Sequence, residues 1–413
     1  MRFQRYLLSL IAIIPFVAPA CSSNTAAPIE AGSTVLAPSL VQPDATVAST
    51  STTINTAAIT TTTGVDPASV FDLYTDAGPY PVGVTTTTLA NGINVEIWYP
   101  ATVGSTGTGT ETYDVRDFTS PEIKALLTAD VPATVSYSAA RDAVVADGRF
   151  PVVLNSHGFS GIRVGSSFLT AHLASWGLIV ASPDHPSRDL YHAVSPSSVT
   201  DPRDSIENLF DSLDYLAAAG ATPGDRFEGH VNTDQVAALG HSAGGGTALA
   251  AASDPRIVGY VSMASGLPGD VTSATALPDK PSFFLSGAID QVVPTARTRA
   301  AYMAAPSPSL LWVLEEVGHN GFDDFCTIGQ GTGIIGIAEA SGLGSFLDAQ
   351  PSFRRLGQDG CIAPAAPVLT TFPIINHAIT AWLLTLFGLC EGPQGLGPEV
   401  ANSYAVGVTI EQN

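Results

Sequence analysis

An apolar run, Gln235 to Leu239 (QVAAL), meets Gly240-His241-Ser242-Ala243-Gly244 and passes at once into the alanine-rich run Thr247 to Ala252. Few folds accommodate that succession. The first run reads as a buried strand and the second as a helix, so the short stretch between them must turn the backbone sharply. Gly240 and Gly244 stand where crossing backbones leave no room for a Cβ. Ser242 is thereby presented at the carboxyl edge of a sheet, beside a helix N-terminus that favours developing negative charge. A bare G-x-S-x-G pentapeptide arises by chance in a glycine-rich chain; one with a strand before it and a helix after it is a structural instruction.

The flanking sequence agrees with it. Asn94 to Tyr99 (NVEIWY), Pro151 to Asn155 (PVVLN), Leu178 to Ser182 (LIVAS), Val258 to Met263, Ser282 to Leu285 and Ser309 to Leu314 are short apolar strands at regular intervals. Between them, Ser167 to Trp176 and Ser205 to Ala219 carry helical spacing, the latter with Asp204 as a cap and Gly220 as a stop. Residues 372–388 form a hydrophobic closing helix. The alternation predicts an α/β fold, a mostly parallel central sheet with helices on both faces. Two stretches break the rhythm and read as insertions, about 101–148 and 326–370. The second, glycine-rich, is expected to be either a lid or a surface excursion.

A serine hydroxyl needs a base before it can attack. His319, in Val317-Gly318-His319-Asn320-Gly321, follows the last of the predicted strands. His377 and His172 lie inside helices; His185, His192 and His230 precede the turn, and His241 is expected to point away from its neighbour Ser242. The base in turn needs a carboxylate to fix its tautomer. Asp290 directly follows the strand Ser282 to Leu285, with Asp323 and Asp324 as alternatives. An oxyanion is best held by backbone amides that are already oriented. Ala243 supplies one, and Phe159, in the Ser156-His157-Gly158-Phe159 turn after the strand Pro151 to Asn155, supplies the other. The chemistry this set can perform is acyl transfer, and no CxxC or HxxxH spacing marks a metal site.

The formal charge of −21 excludes a nucleic-acid partner, which needs basic residues to displace counterions, and argues equally against docking on anionic lipid. Lysine occurs only at 124 and 280; such a surface keeps a protein soluble, and suits saline surroundings. Residues 1–20 read as a signal peptide: Arg2 and Arg5, an apolar Leu7 to Val17 too short to span a bilayer, then Ala18-Pro19-Ala20. Cys21 stands where a bacterial lipoprotein carries its lipid, although Ala18 occupies the place of the usual large aliphatic residue. Both a lipid-anchored surface protein and a plainly secreted one are therefore expected readings. Residues 21–66, rich in Ser, Thr, Ala and Pro, read as a flexible tether ahead of a catalytic domain over 67–413. Export favours disulfides, and Cys326–Cys361 is the expected bridge because both flank the second insertion, with Cys390 left over.

Taken together, WYP (98–100), NSHGFSG (155–161), LASWGLIVASPDH (173–185), GHSAGGG (240–246), SGAIDQVVP (286–294) and GHNGF (318–322) resemble the dienelactone-hydrolase-related branch of the α/β-hydrolases. Within it they are most similar to platelet-activating-factor acetylhydrolase-like proteins and bacterial cutinases or polyester hydrolases. The resemblance spans roughly residues 80–390. It implies a serine esterase with Ser242, Asp290 and His319 as its catalytic residues, Phe159 and Ala243 as oxyanion donors, and no metal or organic cofactor; a monomer is the expected state. The substrates it implies are short- to medium-chain acyl esters, polyesters or phospholipid acyl groups. The two insertions, and a serine where dienelactone hydrolase has cysteine, leave the ester open. A non-catalytic surface binding module and a peptidase are the rival readings on the same fold.

Overall fold

The computed structural model describes residues 74–104, 109–195, 205–267, 277–390 and 395–413. The signal peptide, Cys21, the tether and the capping Asp204 lie outside the described residues.

Ten strands form one sheet in the order β12-β11-β10-β9-β8-β6-β7-β2-β1-β5. Its core is parallel: β6 (Phe150–Ser156), β7 (Ile179–Pro183), β8 (Val231–His241), β9 (Ile257–Met263), β10 (Ser282–Gly287) and β11 (Ser309–Leu314). Antiparallel strands close the two sides, β1 (Val82–Thr88) and β2 (Asn94–Pro100) against β7, and β12 (Val408–Gln412) against β11. The two-residue β5 (Ala140–Arg141) pairs with β1, and β3 (Glu111–Asp114) with β4 (Thr134–Tyr137) makes a separate hairpin within the first insertion.

Seven helices matter to the argument: α1 (Ser167–Ser175), α2 (Ser205–Ala221), α3 (Ala243–Ala251), α4 (Thr295–Ala304), α5 (Gly333–Ala338), α6 (Pro351–Gln358) and α7 (Val368–Leu386). The central strands are apolar without alternation because both of their faces are covered. In β6, Val153 packs into the layer under α1 and α7, while Val152 and Leu154 face the layer under α2, α3 and α4. Leu209, Leu213 and Leu216 of α2, spaced four and three apart, supply its buried stripe. The one described helix long and apolar enough to cross a membrane, α7, is largely buried against the sheet.

Two expectations need correction. Gly220 does not stop α2, which runs through to Ala221. Its hydrogen instead lets the helix approach β8, where a Cβ would lie 3.0 Å from that of Val231. The strand expected over Gln235 to Leu239 begins at Val231, past a polar Asn-Thr-Asp stretch that hides it. The second insertion is mostly helical, with α5 and α6 at its centre.

Chain order places the site. From β6 the chain moves to β7 on one side, then crosses back to β8 on the other, so a crevice opens beyond the carboxyl ends of β6 and β8.

Candidate active site

Ser242 sits in that crevice, between the end of β8 and the start of α3, with φ 57° and ψ −123°. A non-glycine residue in this region is strained by about 1–3 kcal/mol and persists only where its surroundings over-determine it. Here they do. A Cβ on Gly240 would lie 2.1 Å from the carbonyl oxygen of Gly244, and one on Gly244 would lie 1.8 Å from that of Ser156. The Ser242 amide also donates to Met263 O of the neighbouring strand at 2.8 Å. The residues on either side of the turn thus leave the serine one conformation.

His319 opens a short 3-10 turn after β11, and Asp290 lies three residues beyond β10. Imidazole Nδ1 is 2.8 Å from Asp290 Oδ2, and Nε2 is 2.9 Å from Ser242 Oγ. A carboxylate can only accept, so Nδ1 carries the proton and Nε2 is left to accept from the serine hydroxyl. The other oxygen of Asp290 accepts from the amides of Val292 and Val293 at 2.8 and 2.7 Å, which fixes the carboxylate's plane. Asp290 and His319 are both buried; Ser242 is partly exposed. The three residues singled out in the sequence therefore converge.

Asp323 and Asp324 do not reach His319. Asp324 accepts from the amide and hydroxyl of Ser167, both at 2.6 Å, and from Tyr113 Oη; burial nonetheless raises its pKa to about 6. Asp323 faces His241 Nδ1 at 3.5 Å, while His241 Nε2 donates to the carbonyl of His319 at 3.0 Å. Burial first, then the neighbouring His319, drives the His241 pKa well down, so the ring is a neutral support beneath the histidine loop. Gly158, in the loop after β6, is close enough that a Cβ there would lie 3.1 Å from that of Ser242. Among the described residues, the amides of Phe159 and Ala243 have no hydrogen-bond partner.

Residues 72–209 match the family described as platelet-activating factor acetylhydrolase, isoform II. This stretch carries the loop with Phe159 and ends before Ser242. No curated protein matches the sequence. Among solved structures, the chain is similar to one titled ferulic acid esterase, from Streptomyces cinnamoneus, with a TM-score of 0.56. They are 20% identical, over 81% of this chain and 98% of that one. The fold is that of an α/β-hydrolase.

On this fold two residues that nothing in the sequence marked hold the site together. The Arg188 guanidinium donates to His157 O from Nε and Nη2 at 3.2 and 2.8 Å, to Ser156 Oγ at 2.7 Å and to Thr247 Oγ1 of α3 at 2.9 Å. It thereby ties the loop of Gly158 and Phe159 to the helix that follows the serine. Beneath it, burial pushes the His157 pKa down to about 3, and this neutral ring donates from Nδ1 to Gly158 O at 2.8 Å. The second residue is Asp359, which follows α6 and touches the loops of both Asp290 and His319.

The second insertion covers the serine. A cavity of about 40 Å³ over Ser242 is walled by Leu190, Phe325, Ile334, Phe353 and Leu356, four of them downstream of His319. The expected Cys326–Cys361 bridge is present, and Cys390 lies beside Thr385 Oγ1, outside the bridge. No group of three His, Cys, Asp or Glu side chains among the described residues is arranged to hold a metal ion.

Proposed function

We propose that this protein is a serine hydrolase that cleaves carboxylic esters through an acyl-enzyme. The observation that carries the reading is His319 hydrogen-bonded at once to Ser242 Oγ and to Asp290, with the serine held in a strained conformation that aims it into the crevice. His319 takes the serine proton as Oγ attacks the ester carbonyl, and Asp290 stabilises the imidazolium that forms. The amides of Phe159 and Ala243 receive the oxyanion, each such donor being worth about 2.7–4 kcal/mol. The alcohol departs with the proton from His319, and water repeats the sequence to release the acid.

The ester favoured is one with a short- to medium-chain acyl group, because the space over Ser242 is narrow and apolar. The family matched at residues 72–209 is named for an acetylhydrolase and the structural neighbour for an esterase, which supports ester chemistry. The family match also favours a second reading, phospholipid acyl hydrolysis. Residues 326–370 act as a cover that selects acyl length. The N-terminal residues and a disulfide both suit an exported protein, secreted or held at the cell surface through Cys21.

Ser242→Ala is expected to abolish hydrolysis of p-nitrophenyl acetate while leaving the far-UV circular dichroism and melting temperature close to wild type. A fluorophosphonate should label wild type and not the variant. Near-normal turnover by the variant would sink the proposal, and a wild type that neither hydrolyses nor labels would favour a binding module.

A further inference from the structure

Asp359 belongs to the second insertion, not to the sheet, yet its carboxylate straddles two loops of the proposed site. Oδ2 accepts from the amide of Gln291, the residue after Asp290, at 2.7 Å; Oδ1 accepts from the amide of His319 itself at 3.2 Å. Its main-chain oxygen accepts from the Asn320 amide at 2.7 Å. The fit is close on every side. A Cβ on Gly318 would lie 2.4 Å from Asp359 Oδ1, and Gly360, at φ 94°, packs against the backbone of Gly318, Asn320 and Gly321. Two residues on, Cys361 is bonded to Cys326, whose sulfur lies 3.3 Å from Asn320 O, and Asn320 Nδ2 donates to Leu356 O of α6 at 2.7 Å.

We propose that Asp359 is a positioning residue for the acyl-transfer reaction: its carboxylate clamps the Asp290 and His319 loops in register and adds a second negative charge beside the imidazole. The inference rests on the ester-hydrolase reading above. The two loops leave different strands, and the 2.8 Å bond between His319 Nδ1 and Asp290 Oδ2 holds only while they stay in register. A carboxylate suits the place because it can accept from both amides at once, whereas a carboxamide presents one acceptor and one donor. The titratable groups around the imidazole are then Asp290 at Nδ1, Asp359 at the backbone, and the neutral His241 with Asp323 behind it. Burial raises the pKa of Asp359, and the hydrogen bonds from the amides of Gln291 and His319 oppose that rise.

The test is Asp359→Asn in the full chain, assayed with p-nitrophenyl acetate across pH and normalised to the sites a fluorophosphonate titrates. Per titrated site, kcat should fall about 10- to 100-fold with KM moving less than about twofold, as expected of a lost alignment rather than lost binding. The acid limb of kcat/KM should also move down by about half a pH unit, since removing a negative charge makes the base easier to deprotonate. An unaltered kcat per site would overturn the proposal. So would a lower kcat with an unmoved acid limb, because packing alone does not shift the limb. If wild type itself neither turns over ester nor takes the probe, the ester-hydrolase reading has failed instead.

Discussion

Two glycines two residues apart, Gly244 and Gly246, separate steric necessity from mere tolerance. A methyl on Gly244 would meet the Ser156 carbonyl oxygen at 1.8 Å, a contact neither backbone can relieve without dismantling the junction of β6, β8 and α3. At Gly246 the nearest atom to an added methyl, Ser265 Oγ, is 3.8 Å away, and the position is helical. Gly246→Ala should therefore stabilise by about 0.5–1 kcal/mol through helix propensity and a less flexible unfolded chain. Gly244→Ala should cost more than about 4 kcal/mol or give no folded protein, as overpacking against backbone does. Thermal melts of the two variants check both signs together. The same scale shows what a sequence can and cannot disclose about a site. Ser242, Asp290 and His319 were legible because each sits at a recognisable place just after a strand, in an order that narrows the choice. Arg188 and Asp359 were not. An arginine in a loop and an aspartate after a helix have no local signature, and their meaning lies in carbonyls and amides far away in sequence.

Elements were legible in proportion to their burial. The strands at the centre of the sheet have two covered faces and stand out as apolar runs. β1 is a threonine-rich strand, VGVTTTT, in which Val82 and Val84 reach the core while Thr85 and Thr86 bond Asp142 and Glu96, so it lacks the apolar run of a central strand. β12 is short, polar and at an edge. α4 was missed because only Thr298, Ala301 and Tyr302 are buried, too small and mixed a face to register as a stripe. Helix α1 carries a testable consequence of burial. His172, on its inner side, has Nε2 without a partner among the described residues, and burial lowers its pKa from 6.5 to about 4. The folded state thus refuses a proton that the unfolded chain accepts, so stability from this group is intact above pH 6.5 and drains away as pH falls toward 4. Between pH 7 and pH 5 the loss is about 2 kcal/mol. His172→Leu has no such proton to refuse. Whatever its own packing cost, the stability difference between wild type and variant should move in the variant's favour by that amount on acidification. Denaturant melts at the two pH values measure it, and a pH-independent difference would contradict it.

For the molecule as a whole, charge sets the response to salt. Acidic side chains number 37 against 16 basic ones. Many of the arginines are already committed to carboxylates, among them Arg141 with Glu96 and Glu111, Arg256 with Asp214 and Asp254, and Arg299 with Glu411. Most of these pairs are partly exposed, and exposed pairs contribute little, so screening them costs little. The carboxylates in excess repel one another across a compact surface, and that repulsion is relieved when the chain unfolds and the charges separate. Adding salt should therefore raise the melting temperature. The shape of the curve identifies the cause. The screening length falls from about 30 Å at 0.01 M to about 8 Å at 0.15 M, so most of the gain should come below about 0.2 M sodium chloride, with a plateau beyond. Preferential exclusion of salt would give a rise that continues steadily into the molar range. A melting temperature flat across the dilute interval would show that the ion pairs and the self-repulsion cancel, and that the acidic surface serves solubility without weakening the fold.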